Sequence, residues 1–144
     1  MTISVLDVAE YILEKQGPMS TMKLQKLVYY SQAWSLVWDE DVLFPEPIEA
    51  WANGPVVRDL WNRHQGVFRV SAGDLGGSSQ KLSPTQRESV DAVLDYYGDK
   101  PAQWLSDLTH EERPWKRARK GLDEGERGFR EISPESLQDF YSSL

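Results

Sequence analysis

Two histidines, His64 and His110, make up the whole imidazole inventory of this chain, and it has no cysteine. A metal site built on imidazole needs ligands that converge at a recognisable spacing, such as the two histidines of H-E-x-x-H on one helical face. His110-Glu111-Glu112 is not that pattern, and His64 stands far from it in the chain. Both histidines read as structural groups on helix faces, and no metal is expected. Nucleophilic catalysis finds no thiol, no G-x-S-x-G elbow and no serine set by sequence beside a histidine. The glycines of Gly73 to Ser79 (GDLGGSS) lack the closing Gly-Lys-Ser/Thr of a phosphate loop, so they read as a linker. Glu46, Glu49 and the run Asp39-Glu40-Asp41 could supply acid–base groups, but carboxylates at this density are ordinarily solvated surface. The chain reads as a non-enzyme without a cofactor.

Recognition chemistry is better represented. Gln25, Tyr29 and Gln32 align on the less apolar side of one helix. Buried, they form a hydrogen-bonded polar seam; exposed, they form an adaptable recognition strip. Together with Glu49 and Trp51 from the segment that follows, they are the candidate partner-binding residues. Glu49 and the Asp39 to Asp41 run would suit a basic partner. Trp34, Trp38, Trp61 and Trp104 fall on apolar stripes and read as core. Trp51 and Trp115 stand at helix boundaries, where an aromatic either locks a loop onto the core, the preferred reading, or anchors an interface. The basic run Arg113, Lys116, Arg117, Arg119 and Lys120 is the one local feature suited to phosphate. Glu111, Glu112, Asp123, Glu124 and Glu126 flank it, so it reads as a solvated, salt-bridged helix end.

These groups need elements to hold them. The central one is a helix from Ser20 or Thr21 to about Asp39–Asp41, apolar over more than half of its circumference. Leu24, Leu27, Val28, Trp34 and Trp38 share one arc, Tyr30, Ala33 and Val37 extend it, and only Lys23, Gln25, Lys26 and Gln32 are strongly polar. Such a surface is covered on several sides by other elements. A first helix is predicted over Val5–Gln16, with Ser4 and Gly17 as caps. Val42 to Trp51 holds two prolines and reads as short extended pieces. Asn53-Gly54-Pro55 reads as the start of a third helix presenting Val57, Leu60, Trp61 and His64, and a strand is suggested at Val67–Val70. Residues 71–80 read as a flexible internal loop. Further helices are predicted after Ser83, Pro101 and Ser133, with a short piece at Trp115–Lys120. The expected fold is mainly α: one compact domain over 1–144, of five to seven helices, with a small extended insertion between the second and third.

Four motifs carry a family resemblance. They are KLQKLVY at Lys23–Tyr29, IEAW at Ile48–Trp51, GPV at Gly54–Val56, and THEERPW at Thr109–Trp115. In this order the chain, from about Met19 to about Arg119, resembles the Panacea (SocA-like) antitoxin domain, also met in phage-associated proteins of the GepA type. The resemblance implies an antitoxin that neutralises a cognate protein toxin by direct binding. It also leaves room for an adaptor that delivers a bound protein to a protease. From a different class, the residues leave a nucleic-acid-binding regulator working through Arg113–Lys120.

Composition narrows the partners. A net charge of −7 disfavours nucleic acid, whose affinity comes largely from phosphate neutralisation, and favours a basic protein partner. No stretch approaches the ~20 apolar residues of a membrane span, and the N-terminus has no basic start followed by an unbroken apolar run. A soluble, cytoplasmic domain is expected, and a homo-oligomer is compatible with it.

Overall fold

The computed structural model describes residues 3–144, so the first two residues of the expected domain lie outside it. Helix α1 (Val5–Gln16) opens on a capping box. The Ser4 hydroxyl accepts from the Leu6 N–H, and the Asp7 carboxylate accepts from the Ser4 N–H at 2.9 Å. Strand β1 (Met19–Ser20) runs directly into α2 (Thr21–Trp38), capped by the Ser20 hydroxyl. Leu24, Leu27, Val28, Tyr29, Tyr30 and Ala33 of α2 are fully buried. As its wide apolar arc requires, α2 is enclosed on several sides by elements introduced below.

The insertion after α2 is a hairpin, β2 (Ile48–Trp51) and β3 (Gly54–Val57), paired Ile48 to Val57 and Trp51 to Gly54. This corrects the expectation of a helix start at Asn53-Gly54-Pro55. Asn and Pro do favour a helix start locally, but Gly54 takes φ +125°, and four ladder positions pair with β2. Helix α3 (Arg58–His64) begins only after the strand, and Leu60 and His64 point inward as expected. Strand β4 (Arg69–Val70) closes antiparallel on β1.

Helix α4 (Pro84–Tyr97) has the predicted capping box of Ser83 and Gln86, and buries Val90, Val93, Leu94 and Tyr97. Helices α5 (Ala102–Glu111) and α6 (Arg113–Ala118) follow, divided at Glu112 just before Pro114. Strand β5 (Glu131–Ile132) adds to the free edge of β2, giving the antiparallel order β3-β2-β5. Helix α7 (Pro134–Tyr141) closes the chain. Ile132 and Leu137, both buried, stand at the positions of a hydrophobic staple at its start. Helix α2 packs against α1, α4, α5, α7 and β3, which makes it the axis of a mainly α domain.

The connection from Ser71 to Gln80 holds only one short 3-10 turn, in keeping with its Gly and Ser content. It is nevertheless tied down. Gly73 N–H donates to Glu10 at 2.9 Å, Ser78 N–H to Asp7 at 2.8 Å, and Arg63 to the Leu75 carbonyl at 3.1 Å. Leu75 is buried, and a Cβ on Gly77 would sit 1.9 Å from the Leu6 carbonyl oxygen. The glycine lets the strap press onto α1. No described helix is long and apolar enough to cross a membrane.

Candidate functional site

The glutamines of α2 work as side-chain rungs on extended backbone. Gln25 accepts from the Val57 N–H at 2.9 Å and donates to the Val57 carbonyl at 3.2 Å, serving both polar groups of one β3 residue. Its amide also meets His64 Nε2 at 3.0 Å. That contact needs His64 as an acceptor there, and burial lowers the pKa of the ring accordingly. Gln32 repeats the device for the chain before the hairpin, accepting from the Leu43 N–H and donating to the Phe44 carbonyl, both at 2.7 Å. Tyr29 is fully buried, its hydroxyl 3.0 Å from that of Tyr141. Of the two readings of these residues, the buried seam is the one the fold adopts. Tyr29 and Gln32 do not join Glu49 and Trp51 in an exposed strip.

Glu49 and Trp51 do stand together, half-buried on the hairpin. Glu49 accepts from the Trp51 indole N–H at 2.8 Å and pairs with Arg58 at 2.9 Å. The Arg58 guanidinium lies over Trp51 and over Phe129, and the Trp51 ring meets Trp61 and Phe129 edge-on at 5.5 Å. Trp115 donates its indole N–H to the Trp51 carbonyl at 2.8 Å, with His110 stacked 4.0 Å away on its other side. Arg119 is buried and donates to the carbonyls of Ala50, Asp123 and Glu126. Arg113, Lys116, Arg117 and Lys120 are exposed, as a solvated helix end implies, but none is in an ion pair among the described residues, and Arg119 departs from that reading: it staples the tail to the hairpin through backbone oxygens.

The tryptophans depart from expectation at Trp38 and Trp104, while Trp115 takes the preferred loop-locking role. Trp115, the boundary residue, is 9 % exposed, whereas Trp38, placed on the apolar arc, is 48 % exposed, and Trp104 is also exposed. Trp34 and Trp61 are half-buried. Periodicity located the arc of α2 correctly, but Trp38 lies at the last turn, where it stacks on Trp34.

Between the start of α2, the hairpin, α3 and the tail around Phe129 lies a cup of about 520 Å³. Gln25, Trp51, Arg58, Trp61, His64, Arg127 and Phe129 line it, and so does Lys26. Lys26 is only 2 % exposed, and among the described residues its ammonium makes no ion pair and no hydrogen bond. Burial pushes its pKa down to about 8. Gly54 is built around it: a Cβ there would lie 2.6 Å from Lys26 Cε. The lining contains no Asp or Glu. Sequence reasoning passed over Lys26 as one of four polar residues on α2. The available signal was its position, in line with Tyr30, Ala33 and Val37 at helical spacing, a lysine within an apolar stripe.

One turn further along α2 the opposite charge is buried. Glu112, 9 % exposed, accepts from the Tyr30 and Tyr141 hydroxyls, each at 2.7 Å. Tyr97 stacks on Tyr30 at 4.1 Å and accepts the Trp34 indole N–H at 3.0 Å. Burial raises the pKa of Glu112, opposed by the two hydroxyl donors, and raises that of Tyr97 to about 12. Among the described residues no three His, Asp or Glu side chains group as metal ligands would.

Compared with known proteins, residues 24–116 match the family model described as antitoxin SocA-like, Panacea domain, which covers more than half of the chain. No curated protein and no solved structure matches.

Proposed function

We propose that this chain, which belongs to the SocA-like antitoxin family (Panacea domain), neutralises a protein toxin by binding it directly. The observation that carries this reading is the composition of the cup and its rim. Trp51, Trp61 and Phe129 with Arg58 and Arg127 are the residue types that dominate protein interfaces. Met22, Val67 and Phe68 add exposed apolar surface next to them, with Phe68 78 % exposed. Apolar groups gathered at one place on a chain of net charge −7 suit association with a folded surface. Masking a toxin asks for shape and anchor residues rather than catalytic groups. The nucleic-acid reading loses one of its five cations, Arg119, to backbone carbonyls inside the fold, and the net charge of −7 opposes the other four.

The test is co-expression with an open reading frame that adjoins its gene. Growth arrest by that frame alone, relieved by this chain and accompanied by a stable complex, supports the reading. Relief that needs a host protease and leaves no complex would move the function to protease delivery. No relief at all would defeat both.

A further inference from the structure

Lys26 is a charge in the wrong place for stability alone. Enclosing an ammonium without a counter-ion carries a large desolvation penalty, and a chain of 23 acidic residues had many ways to supply one. None is present at the cup. The nearest acid on the hairpin, Glu49, is already held by Arg58 and the Trp51 indole. Gly54 leaves the space that the Lys26 side chain needs. A methionine would fill that space without the electrostatic penalty.

We propose that the cup receives an acidic side chain of the partner protein: a glutamate or aspartate whose carboxylate pairs with Lys26 between Trp51, Trp61 and Phe129. The chain's overall acidity favours a basic partner at long range, yet this recess selects the opposite sign. A carboxylate is the matching charge. Lys26 is the one enclosed cation of the lining, Arg58 is neutralised by Glu49, and Arg127 is exposed to solvent, so a dianionic phosphate seated at Lys26 would carry an uncompensated charge into the site. A protein segment is the matching carrier, because the apolar surface continues beyond the recess over Met22, Val67 and Phe68. Aromatic walls around a desolvated charge pair are the usual surroundings of an interface hot spot.

This inference rests on the reading of a protein partner, and the experiment separates the two. The affinity of the co-expressed toxin is measured for the wild type and for Lys26→Met, together with the melting temperature of each free protein. The expected result is a loss of about thirtyfold or more in affinity, with the melting temperature kept or raised. Unchanged affinity of Lys26→Met would overturn the acidic-anchor proposal and leave the antitoxin reading standing. A wild type that binds no toxin would defeat that reading, and the second arm then decides the cup. In that arm acetyl-Phe-Glu-Leu amide, its Gln counterpart and its phosphoserine counterpart are titrated while the Lys26 Cε resonance is followed. A saturable shift with the Glu peptide alone supports the proposal. No shift, an equal shift with Gln, or tighter binding of phosphoserine overturns it.

Discussion

Lys26 and Tyr30 stand one helical turn apart on α2, and each marks a buried charge handled in an opposite way. At Tyr30 the charge is Glu112, brought in from the junction of α5 and α6 and met by two tyrosine hydroxyls. Tyr29 joins that network through Tyr141, and the Trp34 indole N–H donates to Tyr97, which stacks on Tyr30. At Lys26 the charge belongs to the helix itself, and no described side chain answers it. Both sites cost desolvation; only the first offsets part of it within the chain. A satisfied buried charge fixes how α2, α7 and the α5–α6 junction meet. An unsatisfied one beside a cup leaves interaction energy for a molecule from outside. Two of the family's four motifs fall on the first side of this division: THEERPW, with Glu112 in the network and Trp115 in the hairpin clasp, and IEAW, with Glu49 in that clasp. Lys26 and Gly54, from KLQKL and GPV, fall on the second.

The division can be broken most forcefully at Glu112. Glu112→Leu strips the acceptor from two buried hydroxyls and should destabilise the fold by about 3–5 kcal/mol in denaturant titration. Glu112→Gln keeps an oxygen at that place and should cost about 1 kcal/mol or less at neutral pH. The pH dependence has a defined sign. The raised folded pKa means the fold favours the protonated acid, so the wild type gains stability relative to Glu112→Gln below the ordinary carboxylate range. It loses that gain as pH rises through the raised value. Equal effects of Leu and Gln would mean that the hydroxyls do not depend on Glu112.

Leu27→Ala measures the apolar background on the same helix. Leu27 is fully buried, and the change should cost about 2–5 kcal/mol through transfer and cavity terms. An unaltered melting temperature would remove α2 from the centre of the fold.

Lys26→Met should go the other way. The lowered folded pKa means the fold favours the neutral amine, so the wild type bears the penalty fully below about pH 8 and sheds it as pH rises toward 10.5. At pH 7 the variant should be as stable as the wild type or more so, by up to roughly 3 kcal/mol. The advantage should shrink between pH 8 and 10.5. Referring both proteins to the same pH series cancels the ionisation of the tyrosines. A destabilised Lys26→Met would mean that the ammonium has a partner within the fold.

Glu49→Ala should show the smallest effect on stability, about 1 kcal/mol or less, because Arg58 is partly exposed and solvent replaces its partner. It frees Arg58 and the Trp51 indole at the cup, so toxin affinity should change more than the melting temperature does. Proportional losses in both would place Glu49 wholly in the clasp.

Much of this was legible in the sequence, and the parts that were not share a cause. Ser4, Gly17, Ser20, Ser83 and Ser133 marked helix ends because capping is local chemistry, decided within four residues. Asn53-Gly54-Pro55 carried equally good local signals and became a turn residue followed by the start of a strand, because the pairing partner lies across the hairpin in β2. Burial of tryptophan was misjudged for a related reason. Periodicity tells which side of a helix is apolar, not how far along the helix its neighbours extend, and Trp38 outruns them. Composition marks residues 71–80 as a loop but does not register that the Gly73 and Ser78 N–H groups donate to Glu10 and Asp7 of α1. Arg119 looked like part of a charged patch, yet its acceptors are carbonyls with no signature in sequence. Glu49 and Trp51 were identified together, and they do stand together. Gln25, Tyr29 and Gln32 were rightly singled out as polar on an apolar helix, but they serve the interior. Lys26, one residue from Gln25, was missed because one polar residue beside others on a helix draws no attention until its neighbours in space are known.

The titration of Lys26 itself tests the contrast between the two buried charges most directly. With lysine labelled at Cε, the resonance of Lys26 in the free protein is followed from pH 6 to 11, using Lys26→Met to assign it. A midpoint at about 8 is the result expected of an ammonium enclosed by the fold and left without a counter-ion. A midpoint at or above the ordinary lysine value of 10.5 would mean that Lys26 is hydrated or already paired, and the cup would lose the unanswered charge on which its role depends.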